Sequence, residues 1–364
     1  MKFARRALLG VAILAFGFFT LVPMGRYLIR AAWAEAKILA RRRPIREIIA
    51  DSTTRPAIAD KLRLVLAARG FAADSLELEA KESFTTYSQL DSDTLVLVLS
   101  GAFKDRLVAK TWWFPIVGRV PYKGFFDFNA ARAAARDLER EGLDVYLRPS
   151  PAFSTLGWFN DPLLSTSLRA DTLDLANTVI HELTHNTFYA PGQAVFNESF
   201  ANFVGARGSA WFFRSRGASA AADQEDARWD DEKLLARFWE ALYRQVDSAF
   251  KLHPDNKSNR LAVRDTIYKE ARLRLVRDVG PRLRTYSPRG LERVRIDNAA
   301  LLARRIYLTN VDLFDAIWVR EGGDLRRAFA TVVRLANAQP KDPFGALRRW
   351  IADSSVAAAK PAAE

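Results

Sequence analysis

The chain has 364 residues and a mass of 41.0 kDa, which is enough to bury one large core or two lobes. Its apolar fraction of 49% and charged fraction of 27% are typical of a folded globular protein and exclude a disordered one. The lack of cysteine excludes disulfides, thiolate metal sites, a cysteine nucleophile and a lipid-modified N-terminal cysteine.

The formal net charge is +13, which raises the question of a nucleic-acid partner. The basic residues are mixed with Asp and Glu along the predicted helices, and the sequence contains no zinc finger or RNA-binding motif. We therefore predict no nucleic-acid partner. A solvated surface beside anionic lipid explains the positive excess more simply.

An uncharged, mostly apolar run at residues 7–25 follows Lys2, Arg5 and Arg6. Its length is close to the ~20 residues that span a bilayer, and Arg26 follows it directly without the small-residue cleavage site of a signal peptide. We expect residues 1–25 to form a retained single-pass membrane anchor, with a cleaved signal or a buried soluble helix as alternatives.

The orientation of this anchor is less clear from the sequence. The basic N-terminus favours a cytoplasmic start, an inner-membrane location and a periplasmic location for the rest of the chain. The basic residues between Arg26 and Arg46 oppose that orientation, because positive flanks stay in the cytoplasm.

Residues 26–170 predict juxtamembrane helices followed by a small mixed α/β layer. Apolar periodicity and turn residues place its elements. We expect helices at 31–49, with a break at Pro44, and at 58–68 and 130–141, and strands at 94–99, 106–113, 120–126 and 144–147.

Residues 171–352 predict an almost entirely helical lobe, and residues 353–364 predict a disordered tail rich in Ala, Lys and Pro. The expected helices are 171–189, 196–215, 230–250, 258–278, 297–307, 311–320 and 324–338. The fold class is therefore α+β, a small mixed α/β layer followed by a predominantly helical lobe, with one N-terminal transmembrane helix.

The pentapeptide His181-Glu182-Leu183-Thr184-His185 holds two of the three histidines in the chain. On a helix, residues four apart project from one face, so both imidazoles can reach one ion. Glu182 is offset from them, close enough to act on a metal-bound water rather than to bind the metal. This pattern predicts a zinc-type catalytic site.

A catalytic zinc usually takes three protein ligands, so a third donor is needed. A histidine six residues after His185 is excluded because that position is Pro191. Glu198 is the best remaining donor. Pro191 ends the first helix, and a second helix from about Phe196 would return antiparallel and place Glu198 opposite His185, with the small Ala201 allowing close approach.

These two elements, HExxH and Asn-Glu-x-x-Ala, resemble the gluzincin peptidases, the group of thermolysin-like enzymes and related aminopeptidases. A larger set of blocks resembles the bacterial putative aminopeptidase family of membrane-anchored or lipoprotein-type proteins. The blocks are residues 27–31, 42–45, 113–118, 122–126, 154–159, 161–166, 181–185 and 196–204.

The resemblance implies that the helical lobe is a zincin-like catalytic lobe and that the protein is a zinc-dependent peptidase, favouring an aminopeptidase, that acts on a peptide substrate. It implies that His181, His185 and Glu198 bind Zn²⁺ and that Glu182 is the general base for a zinc-activated water. Asn202 stands where thermolysin-like enzymes have an aspartate beside a zinc-binding histidine, and an amide oxygen can still accept the imidazole N–H.

The donor that stabilises the oxyanion is left open by the sequence. Tyr307 is the preferred candidate, ahead of His253, Tyr189 and Tyr122. No Gly-x-Met-Glu-Asn element for binding a free amine is present. The alternatives are therefore a zinc endopeptidase and an inactive membrane-tethered interaction protein with a vestigial metal site. The oligomeric state stays unknown.

Overall fold

The computed structural model describes residues 5–6, 9–10, 16–17, 20–114, 118–150 and 161–358. No helix in this part of the chain is long and apolar enough to cross a bilayer. Residues 1–4, 7–8, 11–15 and 18–19 of the predicted anchor lie outside the described residues, as does the block 154–159. The structure therefore gives no support to the transmembrane helix, and the membrane anchor stays a prediction.

The N-terminal part of the described chain is mostly helical, and the helix is interrupted at Pro44, as predicted. Helix α1 (Pro23–Ala40) is followed by strand β1 (Arg42–Pro44), then by α2 (Ile45–Ala50) and α3 (Pro56–Asp74). Proline has no backbone N–H and disfavours helix in the residue before it, so the chain passes through Arg43 and Pro44 in extended form.

Three small sheets make up the α/β layer. Their strands are β1, β2 (Thr86–Ser88), β3 (Val96–Phe103), β4 (Trp112–Phe114), β5 (Gly118–Val120), β6 (Lys123–Phe125), β7 (Leu143–Ser150) and β8 (Leu163–Leu164). The sheet orders are β1-β2-β8, β6-β3-β7 and β4-β5. Strand β3 pairs antiparallel with β7 from Val96 opposite Ser150 to Phe103 opposite Leu143, and α4 (Phe128–Arg140) packs on this pair.

The strand predicted at 106–113 is wrong except at its end, where β4 begins. Ala109 makes only an isolated bridge to Ala102. The reason lies in a long-range contact, because the side-chain amide of Asn298 donates to the carbonyls of Phe103, Lys104 and Arg106 at 2.6, 3.3 and 3.2 Å. These carbonyls are therefore engaged by a side chain, and the chain turns where a strand was expected.

The rest of the described chain is helical, which together with the small sheets confirms the α+β class. The helices are α5 (Thr172–Thr187), α6 (Ala194–Ser215), α7 (Ser219–Leu252), α8 (Lys257–Arg274), α9 (Pro288–Glu292), α10 (Asn298–Tyr307), α11 (Val311–Arg320), α12 (Leu325–Ala338) and α13 (Pro343–Ala358). A π-helical turn, Leu275–Val279, continues α8.

The chain is still helical beyond Asp353, the residue at which a disordered tail was predicted to begin, because α13 runs on to Ala358. Asp342 caps this helix by accepting the backbone N–H of Gly345 at 2.9 Å. Alanine, frequent in this segment, has the highest intrinsic helix propensity, so the composition that suggested disorder also suits a helix. Residues 359–364 lie outside the described residues.

The largest core forms around α6. Its phenylalanines Phe196, Phe200 and Phe203 are each 1% exposed or less and pack against Phe314 of α11. Burial of an aromatic side chain contributes about 1.5–3 kcal/mol each. The helix is therefore held firmly along its length, and its N-terminal turns provide a rigid base for the side chains beside them.

Candidate metal centre

Helix α5 carries both histidines of the pentapeptide. It begins after Asp171, whose carboxylate accepts the backbone N–H of Asp174 at 2.8 Å and caps the helix. Its apolar face is buried in the main core and consists of Leu175, Ala176, Val179, Ile180 and Leu183. This packing turns the neighbouring face, with His181 and His185, toward α6.

The loop after α5 is held by the first turn of α6. Gly192 has φ +76°, a left-handed conformation that favours glycine, and reverses the chain. The side chain of Asn197 then accepts the backbone N–H of Ala190 and donates to its carbonyl, both at 2.9 Å. Asn197 therefore fixes the loop, and with it the position of the adjacent Glu198.

Two glycines of α6 allow α5 to approach closely. A Cβ at Gly205 would lie 2.7 Å from Asn177 Oδ1 and 3.3 Å from His181 Cβ, and one at Gly208 would lie 2.9 Å from Ile180 Cγ2. Ala201, predicted to permit this approach, is fully buried. The sequence analysis missed the glycines, although their spacing of three residues along one helix face was visible.

The side chains of His181, His185 and Glu198 converge on one point. The two Nε2 atoms are 3.2 Å apart, and the Glu198 carboxylate oxygens lie 3.6 Å from His181 Nε2 and 3.7 Å from His185 Nε2. Ligands about 2.05 Å from a tetrahedral zinc lie about 3.3 Å from each other. The three side chains therefore fit a metal ion without rearrangement, and they form a group that could hold one.

The electrostatics of this group favour a cation. Burial raises the pKa of the Glu198 carboxyl, yet the two histidines outweigh burial and hold that pKa well below its usual range. Burial lowers the pKa of the His181 imidazole, but Glu198 and Glu182 act in the opposite direction and the net shift is upward. A metal ion would supply to Glu198 the positive charge that a protonated histidine supplies in its absence.

Glu182 is close to the metal group, which consists of His181, His185 and Glu198. Its charge raises the pKa of both His181 and Tyr307, so the carboxylate is near both side chains. It does not belong to the three residues whose ligand atoms converge. This placement suits a base that handles a proton beside the metal.

Asn202 connects the metal group to α10. Its side-chain amide donates to the Tyr307 carbonyl at 2.8 Å, and a hydrogen bond of the same side chain raises the pKa of His181. Since the N–H group goes to Tyr307, the amide oxygen faces the imidazole. By contrast, the buried Nδ1 of His185 has no hydrogen-bond partner among the described residues.

Three tyrosines surround Glu198. Burial and the charge of Glu198 raise the pKa of Tyr307, Tyr122 and Tyr189, with that of Tyr122 raised to about 12. Tyr122 and Tyr189 keep 38% and 41% of their surface exposed, so they are more accessible to solvent than Tyr307. His253 instead closes α7, where its carbonyl accepts from Arg260 at 2.7 Å, and it is not part of the metal group.

Two further charged residues near the site were missed by the sequence analysis. Arg148 of β7 donates from Nη2 to the Tyr307 hydroxyl oxygen at 2.9 Å. Glu232 of α7 interacts with His181, and burial together with Glu225 raises the pKa of Glu232 to about 7. Glu232 lies in α7, whose mixed charges gave no indication from the sequence that the pKa of this carboxylate would be raised.

One known protein family matches most of the chain. Residues 26–347 match the family described as putative aminopeptidase, and this range includes both α5 and α6. No curated protein and no solved structure is significantly similar to the chain. Since the family match covers most of its length, the chain belongs to the putative aminopeptidase family.

Proposed function

We propose that this protein is a zinc-dependent peptidase, and specifically an aminopeptidase. The observation that carries the proposal is the convergence of His181, His185 and Glu198, whose ligand atoms all lie within 4.8 Å of one another. Two imidazoles and one carboxylate are a common donor set of catalytic zinc, which keeps a fourth position open. Membership of the family supports peptide substrates and a free N-terminus.

The residues of the chain divide the chemistry between them. Zinc, when bound, supplies a Lewis acid that polarises a carbonyl and lowers the pKa of water. Glu182 accepts the proton of the attacking water and returns it to the leaving amine. Tyr307 donates its hydroxyl hydrogen to the oxygen that becomes negatively charged on the peptide carbonyl. Asn202 orients the His181 imidazole through the opposite ring nitrogen.

Metal analysis and hydrolysis of a fluorogenic aminoacyl substrate test the proposal. The wild-type protein should contain about one zinc and release the fluorophore. Glu182→Gln should retain zinc and lose about 10²–10⁴-fold in kcat, because the amide cannot take up the proton. Glu139→Gln, on the exposed face of α4, makes the same chemical change away from the site and should behave as wild type.

The same assay separates the alternatives. N-acetylated peptides cut as fast as free ones would favour an endopeptidase, which the missing Gly-x-Met-Glu-Asn element also favours. If the wild-type protein binds one equivalent of zinc but hydrolyses nothing, and Glu182→Gln behaves in the same way, an interaction protein with a vestigial site is favoured.

A further inference from the structure

Arg148 and Tyr307 form a polar contact between the α/β layer and the helical lobe. Arg148 Nη2 lies 2.9 Å from the Tyr307 hydroxyl oxygen, and the guanidinium carbon is 5.3 Å from the centre of the tyrosine ring. Both side chains are partly buried at this contact. A hydrogen bond shielded from water in this way keeps a definite direction.

The direction of this hydrogen bond determines where the tyrosine hydrogen can go. A guanidinium has only donors, so the phenol oxygen of Tyr307 is the acceptor. Its own hydrogen must therefore point to another acceptor. The charges of Glu198 and Glu182 both raise the pKa of this phenol, so the metal group is near enough for that hydrogen to be turned toward it.

Helix α10 is fixed to strand β7 at both ends, which explains how the contact keeps its geometry. At its start, the Asn298 backbone N–H donates to Asp144 Oδ2 at 3.0 Å, and at its end Tyr307 meets Arg148. Four strand residues at about 3.3 Å span about 13 Å, and nine helical residues at about 1.5 Å span nearly the same distance. The two elements therefore match in length between the contacts.

A second pair of hydrogen bonds fixes the same end of α10 to the metal-binding helix. Asn202 of α6 donates to the Tyr307 carbonyl at 2.8 Å, and Ser199 Oγ accepts the backbone N–H of Thr309 at 3.1 Å. Ser199 is the residue next to Glu198. The backbone of Tyr307 is thus fixed relative to the metal group, and only its side-chain torsions remain to be set.

We propose that Arg148 is a positioning residue that sets the Tyr307 hydroxyl as a donor toward the peptide carbonyl. The inference rests on the proposed function. Arg148 supplies one N–H to the phenol oxygen, and the phenol supplies its hydrogen to the developing oxyanion. No proton is transferred in this arrangement, so both groups return unchanged. The contribution of Arg148 therefore appears only while Tyr307 is present.

A double-mutant cycle tests this dependence. Tyr307→Phe should lower kcat about 10²–10³-fold with little change in KM, as for loss of one oxyanion donor. Arg148→Met should lower kcat about tenfold, and Arg148→Lys should recover part of that loss. The variant with both Tyr307→Phe and Arg148→Met should be no slower than Tyr307→Phe alone. Arg136→Met, on the exposed face of α4, is the matched control.

A measurement without substrate complements the kinetics. In protein labelled with carbon-13 at tyrosine Cζ, the ring carbon that carries the hydroxyl, the Tyr307 signal is the one missing from the NMR spectrum of Tyr307→Phe. This signal should shift in metal-free Arg148→Met and stay near the wild-type position in Arg148→Lys. Zinc content should be equal in all variants, and Arg148→Lys keeps the test open if Arg148→Met does not fold.

The outcomes separate this inference from the proposed function. If the losses in kcat multiply in the double variant, or if the Tyr307 NMR signal does not shift in Arg148→Met, the positioning role is overturned. Both results would leave the zinc peptidase in place. A zinc-loaded wild type that hydrolyses no peptide overturns the proposed function, and the catalytic role of Arg148 with it.

Discussion

Helix α6 contributes to two clusters of polar side chains that are satisfied in opposite ways. Toward its middle, Arg207 binds the carboxylate of Asp315 through Nε at 3.0 Å and Nη2 at 2.9 Å. Trp229 Nε1 at 3.1 Å and Lys233 Nζ at 2.6 Å donate to the same carboxylate. Near its start, Glu198 faces His181 and His185.

The two clusters differ in what they lack. The Asp315 cluster contains its own cations and donors, so the carboxylate is fully satisfied by residues of α6 and α7. In the metal group, two imidazole nitrogens and two carboxylate oxygens converge, and no lysine or arginine pairs with Glu198 among the described residues. A closed cluster holds helices together, whereas converging acceptors without a cation form a site for an ion.

The largest expected effect comes from removing the carboxylate of the metal group. Glu198→Ala should lower zinc affinity by more than about 100-fold and abolish hydrolysis, because two histidines alone leave the ion undercoordinated. Its unfolding free energy without metal should change little, because His181, whose pKa Glu198 raises, can release its proton when that carboxylate is removed. Zinc titration against a competing chelator measures the affinity, and urea unfolding of the metal-free protein measures the stability. Tight zinc binding by this variant would contradict the assignment of Glu198.

The Asp315 cluster should give the reverse result. Asp315→Ala leaves the side chains of Arg207 and Lys233, which are 13% and 15% exposed, without their shared acceptor. Arg207 keeps Asp226 at 2.8 Å, and Lys233 keeps Asp230 at 3.1 Å. Loss of hydrogen bonds to a charged group with other partners remaining costs about 1.5–3 kcal/mol. Urea unfolding measures this loss, while zinc affinity at low temperature should stay as in wild type. Equal stability with weakened zinc binding would remove the contrast between the clusters.

Helices α5 and α6, which carry the metal group, were the part of the molecule predicted best from the sequence. The HExxH helix was expected at 171–189 and is found at Thr172–Thr187, and the second was expected at 196–215 and is found at Ala194–Ser215. Pro191 and Gly192 prevent the first helix from continuing past them by local chemistry alone, and it ends at Thr187. Since the hairpin is local, the opposition of Glu198 and His185 could also be inferred before the structure.

Contacts that cross long stretches of sequence could not be inferred in this way. Arg148 and Tyr307 are 159 residues apart, and no sequence pattern near either residue indicates a contact with the other. Strands β1, β2 and β8 have three residues or fewer, too short for an alternating pattern to stand out. The Asn298 contact that suppresses the expected strand after β3 likewise depends on tertiary packing.

Glu232 is a carboxylate that interacts with His181 of the metal group, but its pKa shifts in the opposite direction to that of Glu198. Burial raises the pKa of Glu232 to about 7. The folded state then holds its proton more tightly than the unfolded chain, whose value is 4.5. The contribution of Glu232 to the free energy of unfolding is therefore fully present below pH 4.5, is lost as the pH rises toward about 7, and stays lost above pH 7. Glu232→Gln should therefore exceed wild type by about 1–3 kcal/mol at pH 8 and match it near pH 4.5.

Urea unfolding of metal-free protein across this pH range measures the difference between Glu232→Gln and wild type. The metal-free form is used because a divalent cation beside His181 would itself lower the pKa of Glu232. Glu139→Gln on the exposed face of α4 gives the baseline for loss of one carboxylate. A difference that does not grow with pH would show that Glu232 ionises normally in the folded protein.

The smallest effects are expected from two glycine-to-alanine changes that differ only in the space around them. A Cβ at Gly205 would press on Asn177 and His181, so Gly205→Ala should cost about 1–2 kcal/mol and weaken zinc binding several-fold by moving α5. At Gly70, inside α3, nothing lies within 4 Å, and Gly70→Ala should instead stabilise by about 0.5–1 kcal/mol. Urea unfolding and zinc titration of both variants measure the two effects. If Gly205→Ala gains stability as Gly70→Ala does, the close approach of α5 and α6 is not what holds the histidines opposite Glu198.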